Sequence, residues 1–219
     1  MARMMSDLWP IFALRVVTSR IELRIPDLDE LALLGEVAGR GLYEPGSTEQ
    51  IVPWMLLPPA ERARAVPAQV WRRLGTFEPM SWRLPLGVFA DGVPVGFQFL
   101  SGDRFAVRRE IATGSWLGLS YQGLGIGTQM RAAALELAFT GLGAVACTSE
   151  AFVDNAKSLA VSKKFGYEAD GITRHAVGSE VFTEQRLRLT RERWQRRALR
   201  VPVRIEGLEP CLVLMGASS

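Results

Sequence analysis

Between Leu84 and Thr140 the hydrophobic period of the chain changes once, at a glycine-rich turn, and this constrains the fold more than any other feature. Leu84, Leu86, Val88 and Ala90 alternate along one face of a strand. Asp91-Gly92 is a tight-turn dipeptide, and Val93, Val95, Phe97 and Phe99 share one face of the returning strand. Arg109 to Leu119 adds a third strand. Then Gln122-Gly-Leu-Gly-Ile-Gly127 leads into Thr128 to Thr140, where Met130, Ala133, Ala134, Leu137 and Ala138 recur at helical spacing. An antiparallel meander that feeds a helix through such a turn predicts a sheet with that helix docked across it.

The flanking segments extend the same plan. Arg20 to Ile25 alternates charged and apolar residues and reads as a strand that Pro26 ends. Asp27 and Glu30 form a capping-box pair, and Leu31, Leu34, Val37 and Ala38 follow at helical spacing until Gly39 and Gly41. Residues 44 to 68 are rich in Pro and read as a loop with short helical pieces, either a substrate-side lid or a plain connector. A short helix is expected over Ala68 to Leu74. Ala144 to Ser149 suits a buried central strand, and Asp154-Asn155 opens a helix ending near Phe165-Gly166. Tyr167 to Ile172 and Val181 to Leu189 read as two more strands, and Arg191 to Leu199 as a short helix. The order implies an α/β (α+β) fold, a mixed sheet with helices on both faces.

Composition narrows the function. A chain of 219 residues with 48% hydrophobic content can bury a substantial core. Its net charge of +3 permits an anionic ligand but does not mark a nucleic-acid binder. Cys147 and Cys211 match no metal spacing, so no metal is expected, and two thiols in a chain this long read as reduced. Trp9 to Val17 is too short for a membrane span and is interrupted by Arg15. A cytoplasmic protein with no membrane partner is therefore expected.

The glycine-rich turn carries the chemistry. The first N–H groups of a helix lack intrahelical partners, and the helix dipole adds about half a positive charge there. Together they bind phosphate, and glycines let the backbone approach it. Gly123, Gly125 and Gly127 are spaced for this, although three glycines at a helix start also serve as plain turn chemistry. A P-loop would need Gly-Lys-Ser/Thr, but Thr128-Gln129 follows Gly127. A dinucleotide fingerprint fails too, because its sixth position falls on Thr128 or Met130. That disfavours a nicotinamide oxidoreductase.

At this point the residues resemble the GNAT superfamily of acyltransferases. Gln122-Gly-Leu-Gly-Ile-Gly127 matches its acyl-CoA signature, Gln/Arg-x-x-Gly-x-Gly/Ala, at every fixed position. Trp116-Leu-Gly-Leu-Ser-Tyr121, Asp154-Asn155-Ala-Lys-Ser158 and Lys164-Phe-Gly-Tyr167 also look like that superfamily. Thr18 to Arg24 resembles the start of the ribosomal-protein N-terminal acetyltransferase branch. The wording is similar, more closely, to an actinobacterial group proposed to use succinyl-CoA, tail included. The resemblance covers about residues 15 to 195. It implies a mostly antiparallel GNAT-like sheet, one acyltransferase domain over residues 1–199, and a C-terminal extension, 200–219, packed on that domain or on a partner subunit in a homo-oligomer.

It also implies roles. In this superfamily a bulged fourth strand splays from the fifth, and the pantetheine arm of acetyl-CoA or succinyl-CoA lies in the gap. Leu117 and its neighbours would pair with that arm. The loop of Gln122, Gly123, Leu124, Gly125, Ile126, Gly127 and Thr128 would hold the pyrophosphate, and Asn155 the pantetheine. The reaction is direct attack of a primary amine, from a protein N-terminus, a lysine or a small molecule, on the thioester. Many relatives protonate the thiolate with a Tyr, but the matching position here is Ser162. Ser158 becomes the candidate donor, with packing beside the cofactor as its alternative role. Glu110 and Glu150 flank the cleft strands and are candidates for the base, or else solvated carboxylates. Arg104, Arg108 or Arg109 would meet a succinyl carboxylate. His175 is expected at the surface, Trp82, Trp116, Phe97 and Phe99 in the core, and Cys147 buried and unreactive. The missing Tyr leaves a second reading, a non-catalytic acyl-CoA sensor with the same fold.

Overall fold

A computed structural model describes residues 4–44, 52–177 and 180–218. Nine strands form one sheet: β1 (Arg15–Val17), β2 (Ile21–Arg24), β3 (Ser81–Ala90), β4 (Val93–Asp103), β5 (Glu110–Leu117), β6 (Ala146–Phe152), β7 (Glu168–Val177), β8 (Glu180–Thr190) and β9 (Arg204–Glu206). Their order is β7-β8-β6-β5-β4-β3-β2-β1-β9. Every neighbouring pair is antiparallel except β5 and β6, which run parallel. The helices are α1 (Met5–Leu8), α2 (Leu28–Arg40), α3 (Pro59–Gly75), α4 (Phe105–Arg108), α5 (Ile126–Glu136), α6 (Ala156–Lys164) and α7 (Arg191–Arg196).

Two apolar layers cover the sheet. On one face α5 buries Ile126, Met130 and Ala132 to Leu135 against Leu23, Leu84, Leu86, Ile111 and Cys147, with Phe165 and Trp194 closing the layer. On the other, α2 and α3 bury Leu31, Leu34, Val37, Val66 and Val70 against Phe97 and Trp116. Helices on both faces are what the alternating segments predict. The Asp27–Glu30 capping box forms with both of its hydrogen bonds, 2.8 Å and 3.0 Å. Asp91 and Gly92 both take positive φ, as the tight hairpin turn requires.

Helix α3 is longer than the expected Ala68 to Leu74. Pro58 and Pro59 precede and open it, which suits a first helical turn. Pro67 stands inside it and leaves the Ala63 carbonyl without its usual N–H donor. That carbonyl lies against α2, where a Cβ on Gly35 would come within 2.8 Å of it. Of the stretch 44 to 68, residues 45–51 lie outside the described residues, and so does part of any lid there.

The meander carries a bulge that strict alternation misses. Val88 pairs with Gly96 and Phe89 with Pro94, so Val95 has no cross-strand partner. Val95 packs toward α5, whereas Phe97 and Phe99 face α2 and α3. The tail also differs from a simple appendage. Strand β9 pairs with β1, Met215 is fully buried, and Trp82 Nε1 donates to the Met215 carbonyl at 2.9 Å. Ile205, Leu208, Leu212 and Leu214 pack on the chain's own core. Among the described residues no helix is long and apolar enough to cross a membrane.

Candidate active site

The site begins where β5 and β6 part. They pair from Glu110↔Ala146 to Thr113↔Ser149 and no further. Beyond that point β5 continues to Leu117 against β4 alone, and β6 continues to Phe152 against β8 alone. Residues Gly114–Leu117 therefore present one unpaired edge to a gap. The β4–β5 register is continuous, so the expected bulge is not in β5; the gap arises because the pairing stops. The edge β5 exposes is about 13 Å long at the rise of a strand.

The open end of the gap meets the glycine-rich loop. Gly123 and Gly125 have φ of +74° and +82°, which L side chains rarely adopt. Gly125 is the N-cap of α5. Among the described residues the N–H groups of Gly123, Leu124, Gly125, Ile126 and Gly127 donate to no protein acceptor. These five consecutive donors sit at the positive end of α5, a geometry suited to an anion. The Gln122 and Thr128 N–H groups are already used, by the Leu119 and Gly125 carbonyls. The Gln122 side chain anchors the loop: Nε2 donates to the Leu42 carbonyl at 2.7 Å and the Leu117 carbonyl at 3.2 Å.

A cation completes this end. Arg20, in the β1–β2 turn, donates from Nη1 to the Leu124 carbonyl at 3.0 Å. A cavity of about 400 Å³ opens beside the loop, lined by Arg20, Asp91, Val93, Tyr121, Leu124 and Ile126 among others. Arg20 lies 104 positions from Leu124, and no local pattern in the sequence marks it.

Helix α6 supplies the far wall. The Asn155 Oδ1 caps it by accepting from the Ser158 N–H at 2.9 Å, and among the described residues the amide Nδ2 has no acceptor. Ser158 is half-buried, and Ser162, one turn on along the same face, is buried. At the closed end Arg131 of α5 is also buried, donating to Ser149 Oγ at 3.3 Å and Ser162 Oγ at 3.4 Å. The sequence carried one signal for Arg131: it falls on the same helical stripe as Ala134 and Ala138.

Other expected residues separate. Glu110 stands at the start of β5, before the parting, ion-paired to Arg188 and to Arg108 at 3.4 Å. The Arg188 hydrogen bond holds its carboxyl below the usual carboxylate range, a poor setting for a base. Glu150 is the first residue of β6 past the last β5–β6 pair and is exposed. Arg104, Arg108 and Arg109 flank or end α4, in the β4–β5 connection, away from the loop, and Arg108 is held by Asp103 at 3.0 Å. His175 is exposed and pairs with Glu184 at 2.9 Å. Trp82, Trp116 and Phe97 are buried, and Phe99 stacks on Phe97 at 5.4 Å. Cys147 is fully buried, and burial pushes its thiol far above the ordinary value. Among the described residues no group of three or more His, Cys, Asp or Glu could hold a metal.

A parted parallel strand pair ending on a helix N-terminus has the geometry to take an extended ligand with an anionic end. Residues 20–168 match the acetyltransferase (GNAT) domain, and the chain belongs to that family as a GNAT-type N-acyltransferase. Solved structures share the fold at low identity. Mycobacterium smegmatis RimJ in complex with CoA-disulfide is 19% identical, with TM-score 0.62, covering 82% of this chain and 86% of that one. RimL, a ribosomal alpha-N-protein acetyltransferase in complex with coenzyme A, is 16% identical, with TM-score 0.59, covering 80% and 96%. A GNAT-family acetyltransferase from Bacillus anthracis is 15% identical, with TM-score 0.62, covering 81% and 99%.

Proposed function

We propose that this chain moves an acetyl or succinyl group from its CoA thioester to a primary amine of a protein N-terminus, a lysine or a small molecule. The observation that carries the reading is the run of five free N–H groups, Gly123 to Gly127, at the mouth of the β5–β6 gap. These donors and Arg20 hold the pyrophosphate. The unpaired edge Gly114–Leu117 pairs with the pantetheine amides, and the free Nδ2 of Asn155 donates to the same arm. On this reading the thioester lies near the Thr113–Ser149 pair, where the two strands part.

The amine must be neutral to attack. Its proton passes to water or to Glu150, which stands at the parting, in preference to Glu110. Ser158, on the wall of the gap one turn before Ser162, donates a hydrogen bond toward the sulfur without giving up its proton. Assembly as a homo-oligomer in the cytoplasm belongs to the same reading, and sedimentation of the purified chain tests the first part.

Calorimetric titration with acetyl-CoA, succinyl-CoA and CoA tests the central claim. Tight binding of all three is expected for a site built on the loop, and preference for succinyl-CoA selects that donor. Absence of binding to any of them overturns the proposal. Turnover with a primary amine then separates an enzyme from a sensor.

A further inference from the structure

Arg131 is 4% exposed, and among the described residues no Asp or Glu pairs with it. Arginine is almost never this buried without an anion, because a desolvated charge is costly. Its two hydrogen bonds go to neutral hydroxyls, Ser149 Oγ and Ser162 Oγ, and both are long. A second group is also left wanting. The Tyr167 hydroxyl is buried beside Thr113 and Arg131 but among the described residues meets neither in good hydrogen-bond geometry, and the Arg131 guanidinium lies 5.6 Å from the Tyr167 ring centroid. The fold thus concentrates donors at one point, and the described residues supply no anion to meet them.

That point is the closed end of the gap. Ser149 belongs to the last β5–β6 pair, opposite Thr113, and shares a face with Cys147, toward α5. Ser162 comes from α6 on the other side. A chain tethered at the Gly123–Gly127 donors and laid along Gly114–Leu117 runs toward this cluster.

We propose that Arg131, Ser149 and Ser162 form the cradle that receives the departing thiolate of the acyl-CoA, an inference that rests on the function proposed above. The amine nitrogen forms a bond to the thioester carbon, the carbon–sulfur bond breaks, and its electron pair stays on sulfur. The Ser149 and Ser162 oxygens accept from Arg131, so each hydroxyl proton remains free to donate to that sulfur. The guanidinium polarises both hydroxyls in a water-poor setting, where such donation is stronger than in bulk water. Arg131 is a positioning residue, and the two serines touch the sulfur. The thiolate takes a proton from water on release.

The thiol of bound CoA reports this directly through the ultraviolet absorbance of its thiolate. In the wild type the bound thiol should ionise at least about one pH unit below the ordinary thiol value near 8.5. Arg131→Met should return it to that value, Arg131→Lys should keep part of the shift, and Ser162→Ala, which leaves the cation in place, should lose part of it. The kcat of Arg131→Met should fall by about 10²-fold, with KM for acyl-CoA little changed. CoA that binds with the same thiol ionisation in wild type, Arg131→Met and Ser162→Ala overturns this inference alone. CoA that does not bind at all overturns it together with the acyl-CoA reading.

Discussion

Arg20 Nη1 donates to the carbonyl of Leu124 at 3.0 Å, so a cation from the first hairpin lies across a loop whose own N–H groups Gly123 to Gly127 have no acceptor among the described residues. The pairing puts an exposed side-chain positive charge beside a set of backbone donors. Arg20→Met should weaken CoA binding by about twofold to fivefold, the scale of one exposed charged contact. The wild-type affinity should also fall more steeply with salt than that of the variant, because screening acts on the charge and not on the backbone donors. Calorimetry at two ionic strengths checks both.

The backbone of that loop is the stronger determinant. Gly125 has φ of +82°, and a Cβ there would lie 3.2 Å from Arg20 Nη1. A non-glycine residue in this region costs about 1–2 kcal/mol. Gly125→Ala should therefore relax the loop out of its donor geometry and weaken CoA by about tenfold or more. The melting temperature should change less than the affinity. Unchanged affinity would show that the loop does not hold the pyrophosphate.

Glu110 separates two roles for one carboxylate. Hydrogen bonding to Arg188 depresses its folded pKa below the unfolded value of about 4.5. Such a group adds stability above the unfolded pKa, and that stability is lost as pH falls through the folded pKa. Glu110→Gln should be less stable than wild type at neutral pH by up to about 1 kcal/mol, the pair being partly exposed. The difference should vanish in acid, which urea unfolding at several pH values would show. Turnover should stay within a few-fold of wild type, whereas a loss near 10³-fold would restore Glu110 as the base.

Gly35 tests how α2 and α3 meet. A Cβ at this position would stand 2.8 Å from the Ala63 carbonyl oxygen, which belongs to a neighbouring backbone and cannot rotate away. Gly35→Ala should destabilise by about 2 kcal/mol through overpacking, despite the better helix propensity of Ala. For a domain of this size that lowers Tm by roughly 4–8 °C. A rise in Tm would mean that the two helices separate readily.

Several features were legible because the residues that make them are close in the chain. The Asp27–Glu30 cap, the Asp91-Gly92 turn and the stripe on α5 each depend on neighbours within a few positions. The tight turn at Gly123 and Gly125 was legible for the same reason, since the positive φ both adopt is a property of single residues. Helix α3 was misread because Pro67 is a strong local signal against a helix. Packing of α3 on α2 outweighs it, and the carbonyl whose usual donor Pro67 removes is covered by Gly35. The bulge at Val95 was missed because alternation assumes unbroken pairing.

By itself, then, the sequence determined the order of the main strands and helices, the turn chemistry and the glycine-rich loop that opens α5, all of which follow from backbone preferences over short spans. Tertiary structure alone decided that β5 and β6 part after Thr113 and Ser149, and that β9 returns to pair with β1. It also decided that Arg20 reaches Leu124, that Glu110 is spent on Arg188, and that Arg131 is buried without an anion. These are meetings of residues tens of positions apart. Their energies come from burial and charge neutralisation, which exist only once the sheet has closed over its two helical layers.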